Sequence, residues 1–278
     1  MISVILPVLD ALPWLDEQME ALVAQRCDGP WEIVVADNGS SDGSVVTAQA
    51  WAEREKRIRV VDASARRGPS AARNAGVRLA HGDLLAFCDA DDVVQAGWLE
   101  ACVTALADAD VVAGTFDMGV LNGGAGDEIQ PAATSQLGFL PAGLAANLAV
   151  RRQAFEAVGG FCEGLTVGED IDLSWRLQLE GFHFAVAADA VVAKREPEDL
   201  AALFRLGLQY GRCGPALYRR YRHQGARRDL RGSARSWAWL VLAVVGLGRR
   251  AVRRRWVRAA AVRLGRLAGS MSNRVFFP

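Results

Sequence analysis

The stretch Glu32-Ile-Val-Val-Ala-Asp-Asn-Gly-Ser-Ser-Asp-Gly-Ser44 contains a buried strand, a tight polar turn and the start of a helix. The same order recurs along the chain. Strand-like apolar runs occupy Ile2–Val8, Glu32–Ala36, Ile58–Asp62, Leu84–Asp89, Val111–Thr115 and Ala187–Ala193. Helix-like runs, with apolar residues three and four positions apart, occupy Trp14–Gln25, Ser44–Lys56, Ala71–Ala80 and Trp98–Ala107. This alternation predicts an α/β fold whose mostly parallel sheet has helices on both faces.

The composition is that of a folded globular chain with reduced cysteines. Its 278 residues suit one large domain or two modest ones, and 51% hydrophobic with 23% charged residues excludes a mainly disordered protein. The five cysteines are scattered and include no C-x-x-C pair, which disfavours a disulfide framework and a zinc ribbon. The opening Met-Ile-Ser-Val-Ile-Leu-Pro-Val lacks the basic region and cleavage site of a signal peptide. We therefore expect a cytoplasmic protein.

The net charge of zero hides two oppositely charged parts. Residues 1–202 hold 14 Lys and Arg against 31 Asp and Glu, whereas residues 203–278 hold 18 Arg and one acid, Asp229. An acidic part suits metal ions and their complexes with phosphorylated ligands, while an Arg-rich part suits anionic surfaces. The chain also becomes helical from Leu200, with no strand-like runs. We predict a catalytic domain over 1–200 and a helical, Arg-rich tail over 201–278.

Residues 116–147 show little periodicity and contain Gly-Gly-Ala-Gly at 123–126. A long loop of this kind is often functional, for example as a lid over a site. A disordered insert is the alternative. The pattern predicts a loop and does not choose between the two.

Carboxylates gather directly after the strand-like run at 84–89, in Asp89-Ala-Asp-Asp92. Like charges packed this closely are tolerated when they are exposed or when a hard divalent cation neutralises them. Mg²⁺ and Mn²⁺ prefer such oxygen ligands. A solvated turn that caps a helix is the competing interpretation of this motif.

Three further stretches place polar groups after strands or at helix starts. Asp37 and Asn38 follow a strand and can hydrogen-bond the edge of a nucleobase. Gly68 begins a helix that carries Arg73 one turn in, which favours anions. Glu169 and Asp170 open another helix, whose dipole keeps a carboxylate ionised, as a general base must be. Each stretch taken alone is also explained by ordinary turns and helix caps.

Taken in order, these motifs closely resemble the family 2 inverting glycosyltransferases of GT-A fold. The resemblance spans roughly residues 1–195. It rests on Val4-Ile-Leu-Pro7-Val-Leu-Asp10, Val-Val-Ala-Asp37-Asn-Gly-Ser-Ser-Asp-Gly-Ser, Gly68-Pro-Ser-Ala-Ala-Arg-Asn-Ala-Gly76, Phe87-Cys-Asp-Ala-Asp-Asp92, Gly159-Gly-Phe and Gly168-Glu-Asp-Ile-Asp-Leu.

The resemblance implies a site for a nucleotide diphosphate sugar and a divalent cation, Mn²⁺ or Mg²⁺. Asp91 would ligate the metal that bridges the diphosphate, Asp89 would approach metal and ribose, and Asp170 would deprotonate an acceptor hydroxyl. In-line attack would then invert the anomeric centre. The remaining donor-binding residues would be Pro7, Leu9 and Asp10 along the base, Asp37 and Asn38 reading it, and Gly68 and Arg73 on base, ribose or phosphate.

The chain departs from the family pattern at four points. Asp10 replaces a more frequent Asn, and Asn38 replaces a frequent second Asp, so the identity of the nucleotide stays open. Lys194 stands where many relatives have a His, and it would neutralise the diphosphate as a point charge without ligating metal. The Gln-x-x-Arg-Trp motif of processive synthases is absent from the sequence. We therefore expect non-processive transfer of a single sugar.

The tail carries an apolar run, Trp237–Gly248, followed by a basic amphipathic stretch, Arg249–Ala268. As a helix, twelve residues span about 18 Å, which is short of a bilayer core of about 30 Å. The pattern favours residues 233–278 lying on an anionic membrane surface, at the inner face of the cell membrane. A helical hairpin packed on the catalytic domain is the alternative, and nucleic acid is disfavoured because no reader motif accompanies the arginines.

Two other functions compete with that of a transferase. A sugar nucleotidyltransferase also uses an acidic metal site, but its glycine-rich loop with activating Arg and Lys is missing from the first strand end. A degenerate relative would bind nucleotide sugar without turnover and act as a membrane-associated partner subunit. The acceptor is left open, with a lipid-linked or cell-envelope glycan as the candidate.

Overall fold

The computed structural model describes residues 1–124, 129–197 and 199–278. These residues group into an N-terminal unit, residues 1–134 and 141–195, and a C-terminal unit, residues 135–140 and 196–278. A catalytic role for the first part and a surface-binding role for the second stay predictions.

The N-terminal unit alternates strands and helices, largely as the sequence predicts. Its strands are β1 (Ile2–Val8), β2 (Trp31–Asp37), β3 (Ile58–Asp62), β4 (Leu84–Cys88), β5 (Val93–Val94), β6 (Val111–Asp117), β7 (Ile129–Pro131), β8 (Ala133–Ser135), β9 (Pro141–Gly143), β10 (Asn147–Arg151) and β11 (Phe184–Ala193). Its helices are α1 (Leu15–Val23), α2 (Ser44–Arg54), α3 (Pro69–Leu79), α4 (Trp98–Asp108), α5 (Arg152–Ala157) and α6 (Glu169–Leu179).

The main sheet runs in the order β3-β2-β1-β4-β10-β6-β11-β5, with β7 paired to β6. Pairings among β1, β2, β3 and β4 are parallel, as is β6 with β11, whereas β10 is antiparallel to both of its neighbours. The sheet is therefore mixed and mostly parallel, as predicted. Its parallel half brings the carboxyl ends of β1, β2 and β4 to one edge, where α/β sheets bind ligands.

Alternate residues of β1 pack into two hydrophobic core layers, one on each face of the sheet, because successive side chains in a strand point to opposite faces. Val4 and Leu6 pack in the layer that contains α1 and α4, while Ile5 packs in the layer that contains α3 and α6. All three are fully buried, and burying such a side chain contributes about 1.5–3 kcal/mol to folding. The prediction of helices on both faces of the sheet is confirmed.

The predicted loop over 116–147 is wrong in part, because short strands interrupt it. Strand β6 continues to Asp117, and residues 129–131 pair antiparallel with residues 115–117. Strands β8, β9 and β10 also fall in or begin within this stretch. Strands of three residues are too short to display a two-residue period, so the sequence pattern missed them. Part of the Gly-Gly-Ala-Gly segment, residues 125 and 126, lies outside the described residues.

The C-terminal unit contains α7 (Leu200–Tyr221), α8 (Leu230–Leu242), a 3-10 turn (Ala243–Gly246) and α9 (Arg250–Ser272). Helix α8 therefore ends inside the predicted apolar run 237–248. The single acid of the tail, Asp229, caps α8 by accepting a hydrogen bond from the backbone N of Gly232 at 2.7 Å. Among the described residues, no helix has both the length and the apolar composition needed to cross a membrane.

Helices α7 and α9 approach each other through small residues. Gly207 faces Ala261, and Gly211 faces Gly265, so the two helices run parallel. A Cβ added to Gly211 would overlap the carbonyl oxygen of Val262. Because only glycine lets the two backbones come this close, the α7–α9 contact depends on these positions.

Candidate active site

Three aspartates directly follow β4, and we call Asp89, Asp91 and Asp92 the acidic cluster. One carboxylate oxygen from each lies within 4.8 Å of the other two. Asp91 is exposed, Asp89 is half-buried and Asp92 is fully buried. The sequence therefore predicted the convergence of the cluster correctly, but the three side chains have different surroundings.

Asp92 holds a lysine inside the cluster. Nζ of Lys194 lies 2.7 Å from Oδ2 of Asp92 and 3.9 Å from Oδ2 of Asp89. The backbone N of Arg195 donates to Oδ1 of Asp92 at 2.9 Å. Burial lowers the pKa of Lys194, but the charges of Asp92 and Asp89 outweigh it, so the net shift is upward. Lys194 is thus a fixed cation, and Asp92 is occupied in holding it.

Arg73 joins the acidic cluster to the start of α6. Its Nη2 lies 2.8 Å from Oδ1 of Asp89, and its Nη1 lies 3.0 Å from Oε1 of Glu169. The residue is only 5% exposed. Burial opposes ionisation of Asp89, but the charges of Arg73 and Lys194 outweigh it and lower the pKa of this carboxyl. Asp89 is therefore an ionised carboxylate with one oxygen hydrogen-bonded to Arg73.

Asp91 differs from its neighbours because, within the described ranges, no other side chain is hydrogen-bonded or ion-paired to its carboxylate. Its carboxylate thus lies close to that of Asp89 and is not held by another described side chain. The acidic cluster, the two acids that open α6 and Glu17, which pairs with Arg195, supply six carboxylates, and three cations lie among them, so the formal charge is −3. The cations are Arg73, Lys194 and Arg195. A hard divalent cation fits this oxygen donor set and this charge.

Asp170 lies at the first turn of α6 with both oxygens hydrogen-bonded. The backbone N of Ala145 donates to Oδ2 at 3.1 Å, and that of Ile171 donates to Oδ1 at 2.8 Å. Burial, reinforced by the charge of Glu169, raises the pKa of Asp170 to about 6. At neutral pH the group is ionised yet basic enough to take a proton, which is the state a general base needs.

The loop after β1 is tied to the turn after β2. Oδ1 of Asp10 accepts from the backbone N of Ser41 at 2.7 Å, and the backbone N of Asp10 donates to Oγ of Ser40 at 3.1 Å. Asp10 takes a φ of +49°, which the short polar side chain tolerates. Pro7 is the penultimate residue of β1, and Leu9 is exposed just after it. These residues therefore share the strand edge that carries the acidic cluster.

Asn38 and Asp37 have different tasks at the end of β2. Asn38 is buried and donates to the carbonyl oxygens of Ala63 and Arg66 at 2.6 and 2.9 Å, while its Oδ1 accepts from the backbone N of Gly68 at 2.8 Å. Its amide is thus committed to shaping the Gly68 loop. Asp37 accepts from the backbone N of Gly39 at 3.1 Å and borders an open cleft of about 830 Å³ between α2 and β3.

Comparison with known protein families identifies the family of this chain. The profile of Glycosyl transferase family 2 matches residues 3–133, and that of Glycosyl transferase family group 2 matches residues 84–264, more than half of the chain. The chain belongs to glycosyltransferase family 2. The prediction of a nucleotide-sugar-dependent glycosyltransferase is thereby confirmed at the level of the family.

Named relatives of this glycosyltransferase come from archaea and bacteria. Glycosyltransferase AglE of Haloferax volcanii is 28% identical over 217 residues, which cover 74% of this chain and 71% of AglE. The pre-mycofactocin glycosyltransferase of Mycobacterium tuberculosis is 26% identical over 271 residues, which cover 89% of this chain. The alignment spans only 54% of that longer relative.

Two solved structures show that the glycosyltransferase has the predicted GT-A fold. The mannosyltransferase PcManGT from Pyrobaculum calidifontis, in complex with GDP-Man and Mn²⁺, matches with a TM-score of 0.70 at 19% identity, covering 98% of this chain and 87% of that one. TarS 1-349 of S. aureus, in complex with UDP-GlcNAc, matches with a TM-score of 0.57 at 18% identity and covers 100% of this chain and 93% of its own.

Sequence reasoning missed two residues that position the acidic cluster of this glycosyltransferase. Gln18 is fully buried on α1, donates from Nε2 to the carbonyl oxygen of Asp89 at 3.0 Å and accepts from the backbone N of Val94 at 3.0 Å. It therefore anchors both sides of the Asp89–Val94 turn. A glutamine in an amphipathic helix gives no sequence signal for this role.

Arg195 is the second missed residue. Its Nε donates to the carbonyl oxygen of Asp91 at 3.0 Å, its Nη2 lies 2.7 Å from Oε2 of Glu17, and its guanidinium lies 4.0 Å from the centroid of the Trp14 ring. Its position beside Lys194 was the available signal. Trp98, which follows the cluster in sequence, is fully buried and donates from Nε1 to Oδ1 of Asn147 at 2.9 Å, so it belongs to the core.

Proposed function

We propose that this glycosyltransferase moves one sugar from a nucleotide diphosphate sugar to an acceptor hydroxyl, with inversion and without processive elongation. The observation that carries the proposal is the Arg73 bridge, whose two ends bind Asp89 of the acidic cluster and Glu169, the neighbour of Asp170. One buried guanidinium thus links the carboxylates suited to a metal with the start of α6, where the carboxylate suited to a general base lies.

The donor would lie along the edge formed by the ends of β1, β2 and β4. Pro7, Leu9 and Asp10 would line the base, and Asp37, which borders the open cleft, would read it. Asn38 would act by holding Gly68 in place, since its amide is committed to that loop. Arg73 and Lys194 would supply positive charge toward ribose and phosphates.

Asp89 and Asp91 would hold the divalent cation, Mn²⁺ or Mg²⁺. The carboxylate of Asp91 is not held by another described side chain, and Asp89 has the oxygen that Arg73 does not use. A bound cation of this kind stabilises the departing diphosphate as a Lewis acid. Lys194 would add a second positive charge at a fixed position, since Asp92 holds its ammonium at 2.7 Å.

Asp170 would accept the proton of the acceptor hydroxyl as the oxygen attacks the anomeric carbon. Two backbone N–H donors fix the carboxylate, so the base is oriented before the acceptor binds. The bond from the anomeric carbon to the diphosphate breaks as the new bond forms on the opposite face. Attack from that face inverts the configuration at this carbon.

We also propose that residues 233–278 contact an anionic membrane surface, which would make a lipid-linked or cell-envelope glycan the acceptor class. Residues 230–278 contain eleven Arg and no Asp or Glu. Anionic headgroups attract such a segment with about 1 kcal/mol per basic residue near the surface.

Nucleotide-dependent thermal stabilisation tests the donor site. We expect one of UDP, GDP, dTDP or CMP to raise the melting temperature when Mn²⁺ is present, because a ligand at a hundred times its Kd adds about 2.7 kcal/mol. Asp91→Ala should abolish this response, while Asp108→Ala, an exposed aspartate at the end of α4, should keep it. No response to any nucleotide from the folded protein would reject the proposed donor site.

A further inference from the structure

Four aliphatic side chains are exposed within five consecutive residues where α8 ends. Val241 and Leu242 are each 73% exposed, Val244 is 51% exposed and Val245 is 97% exposed. We call these four residues the aliphatic turn. Single exposed aliphatic residues are normal on a protein surface, but a contiguous group marks an interaction site.

The aliphatic turn is held in place by its neighbours. Nε1 of Trp256 on α9 donates to the carbonyl oxygen of Leu240 at 2.8 Å, directly before the turn. The backbone N of Leu247 donates to the carbonyl oxygen of Val244 at 3.3 Å, and that of Arg249 donates to that of Gly246 at 3.0 Å. The four side chains are therefore presented outward from an ordered backbone.

Positive charge flanks the aliphatic turn. Arg249, Arg250 and Arg253 follow it and are exposed, and within the described part of the chain they form no ion pair. Trp237, which is 37% exposed, lies one helical turn before Val241 on α8. Exposed aliphatic residues beside an aromatic residue and free arginines match a bilayer interface, where acyl chains lie below anionic headgroups.

We propose that the aliphatic turn inserts into the interface of an anionic lipid bilayer while Arg249, Arg250 and Arg253 bind lipid phosphates. This inference rests on the proposed membrane contact of residues 233–278 and names the residues that enter the bilayer. A protein partner that covered the turn would need acids opposite these arginines. A second copy of this segment supplies none, because residues 230–278 contain no acid.

Flotation of the full chain with vesicles tests the inference. The vesicles contain phosphatidylcholine alone or phosphatidylcholine mixed with phosphatidylglycerol. We expect binding to the anionic vesicles only. Val245→Asp should weaken that binding by about tenfold or more, because a charge replaces a side chain inserted below the headgroups. Val46→Asp, at a valine 65% exposed on α2, is the matched control and should bind as the wild type does.

Three outcomes would overturn the inference. Wild-type protein that fails to bind anionic vesicles removes both the insertion and the membrane contact on which it rests. Binding that survives Val245→Asp but is lost in the double variant Arg249→Gln/Arg250→Gln leaves the membrane contact standing and rejects insertion. A dimer in light scattering that Val245→Asp converts to monomer, with vesicle binding unchanged, would show that a second copy covers the turn.

The same samples separate this inference from the donor site. Val245→Asp should leave nucleotide-dependent stabilisation unchanged. Conversely, a protein that binds vesicles through Val245 but responds to no nucleotide supports the aliphatic turn and contradicts the proposed transferase site.

Discussion

The two units of this glycosyltransferase handle charge in opposite ways. In the N-terminal unit, Arg73, Lys194 and Arg195 each lie within 3.0 Å of an acceptor oxygen in or beside the acidic cluster. In the tail, by contrast, Arg249 and Arg253 are exposed and, among the described residues, have no ion-pair partner. Paired cations hold the neighbouring carboxylates and backbone groups at fixed positions. Exposed, unpaired cations only add to the positive electrostatic potential around the tail. Substitution of a paired cation in the first unit should therefore have a specific effect, whereas substitution of an exposed, unpaired tail arginine should have a small, salt-dependent effect.

The largest effect should come from Asp170. Asp170→Asn keeps the size of the side chain but cannot accept the acceptor proton, so we expect kcat to fall by about 10²–10⁴-fold. Nucleotide-dependent stabilisation should be unchanged, because the residue does not bind the donor. Glu180→Gln, at the other end of α6, is the control and should keep the wild-type kcat. Equal rates for Asp170→Asn and wild type would remove the proposed base.

Arg73 should have the largest effect on folding stability. Arg73→Met leaves Asp89 and Glu169 without their buried cation, which costs about 3–5 kcal/mol of unfolding free energy in urea titration. Arg78→Met on the same helix is the control, since Arg78 is exposed. If the two variants were equally stable, the contrast between positioned and free cations would fail within the N-terminal unit itself.

The order of elements could be predicted from the sequence because each long element carries its own period. Strand β3 has the predicted bounds, and α2 begins at the predicted Ser44. Strands β7 to β9 have three residues each, too few to show a period of their own, and they form by pairing, β7 with β6 and β8 with β9. Helix α8 ends at Leu242, inside the predicted apolar run 237–248, because an apolar run alone does not determine where a helix ends.

The position of the acidic cluster could likewise be predicted from the sequence, but the different partners of its three aspartates could not. The sequence Asp89-Ala-Asp-Asp92 gives no sign that Asp92 holds Lys194 while Asp91 pairs with no other described side chain. That distinction comes from Lys194, at the end of β11, a hundred residues along the chain. Gln18 is a similar case, because its partners are backbone atoms that the sequence does not reveal.

The close contact between α7 and α9 should make the C-terminal unit sensitive to a change in packing. Gly211→Ala places a methyl group against the carbonyl oxygen of Val262, so we expect a loss of about 1–3 kcal/mol of unfolding free energy. Gly248→Ala, where an added Cβ meets nothing within 4 Å, is the control. A Gly211→Ala protein as stable as Gly248→Ala would mean that the two helices are not held at this distance.

The pH dependence of kcat/KM should follow the ionisation of the Asp170 carboxyl. Its carboxyl must be deprotonated to act, and its pKa is raised to about 6, so kcat/KM should rise with pH up to that value and level off above it. Below the inflection the rate should fall about tenfold per pH unit, as for a single ionising base. A profile that is flat from pH 5 to pH 7 would assign the proton to another group.

The smallest change in stability should come from substitution of an exposed arginine in the tail. Arg253 is exposed and has no ion-pair partner in the described ranges, so Arg253→Gln should change the unfolding free energy by no more than about 0.5 kcal/mol. Binding to anionic vesicles should weaken modestly and more at low salt than at high salt, since the contribution is that of one charge in a field. A loss of stability like that of Arg73→Met would show that this arginine also fixes structure, and the two units would then differ in net charge but not in how they use it.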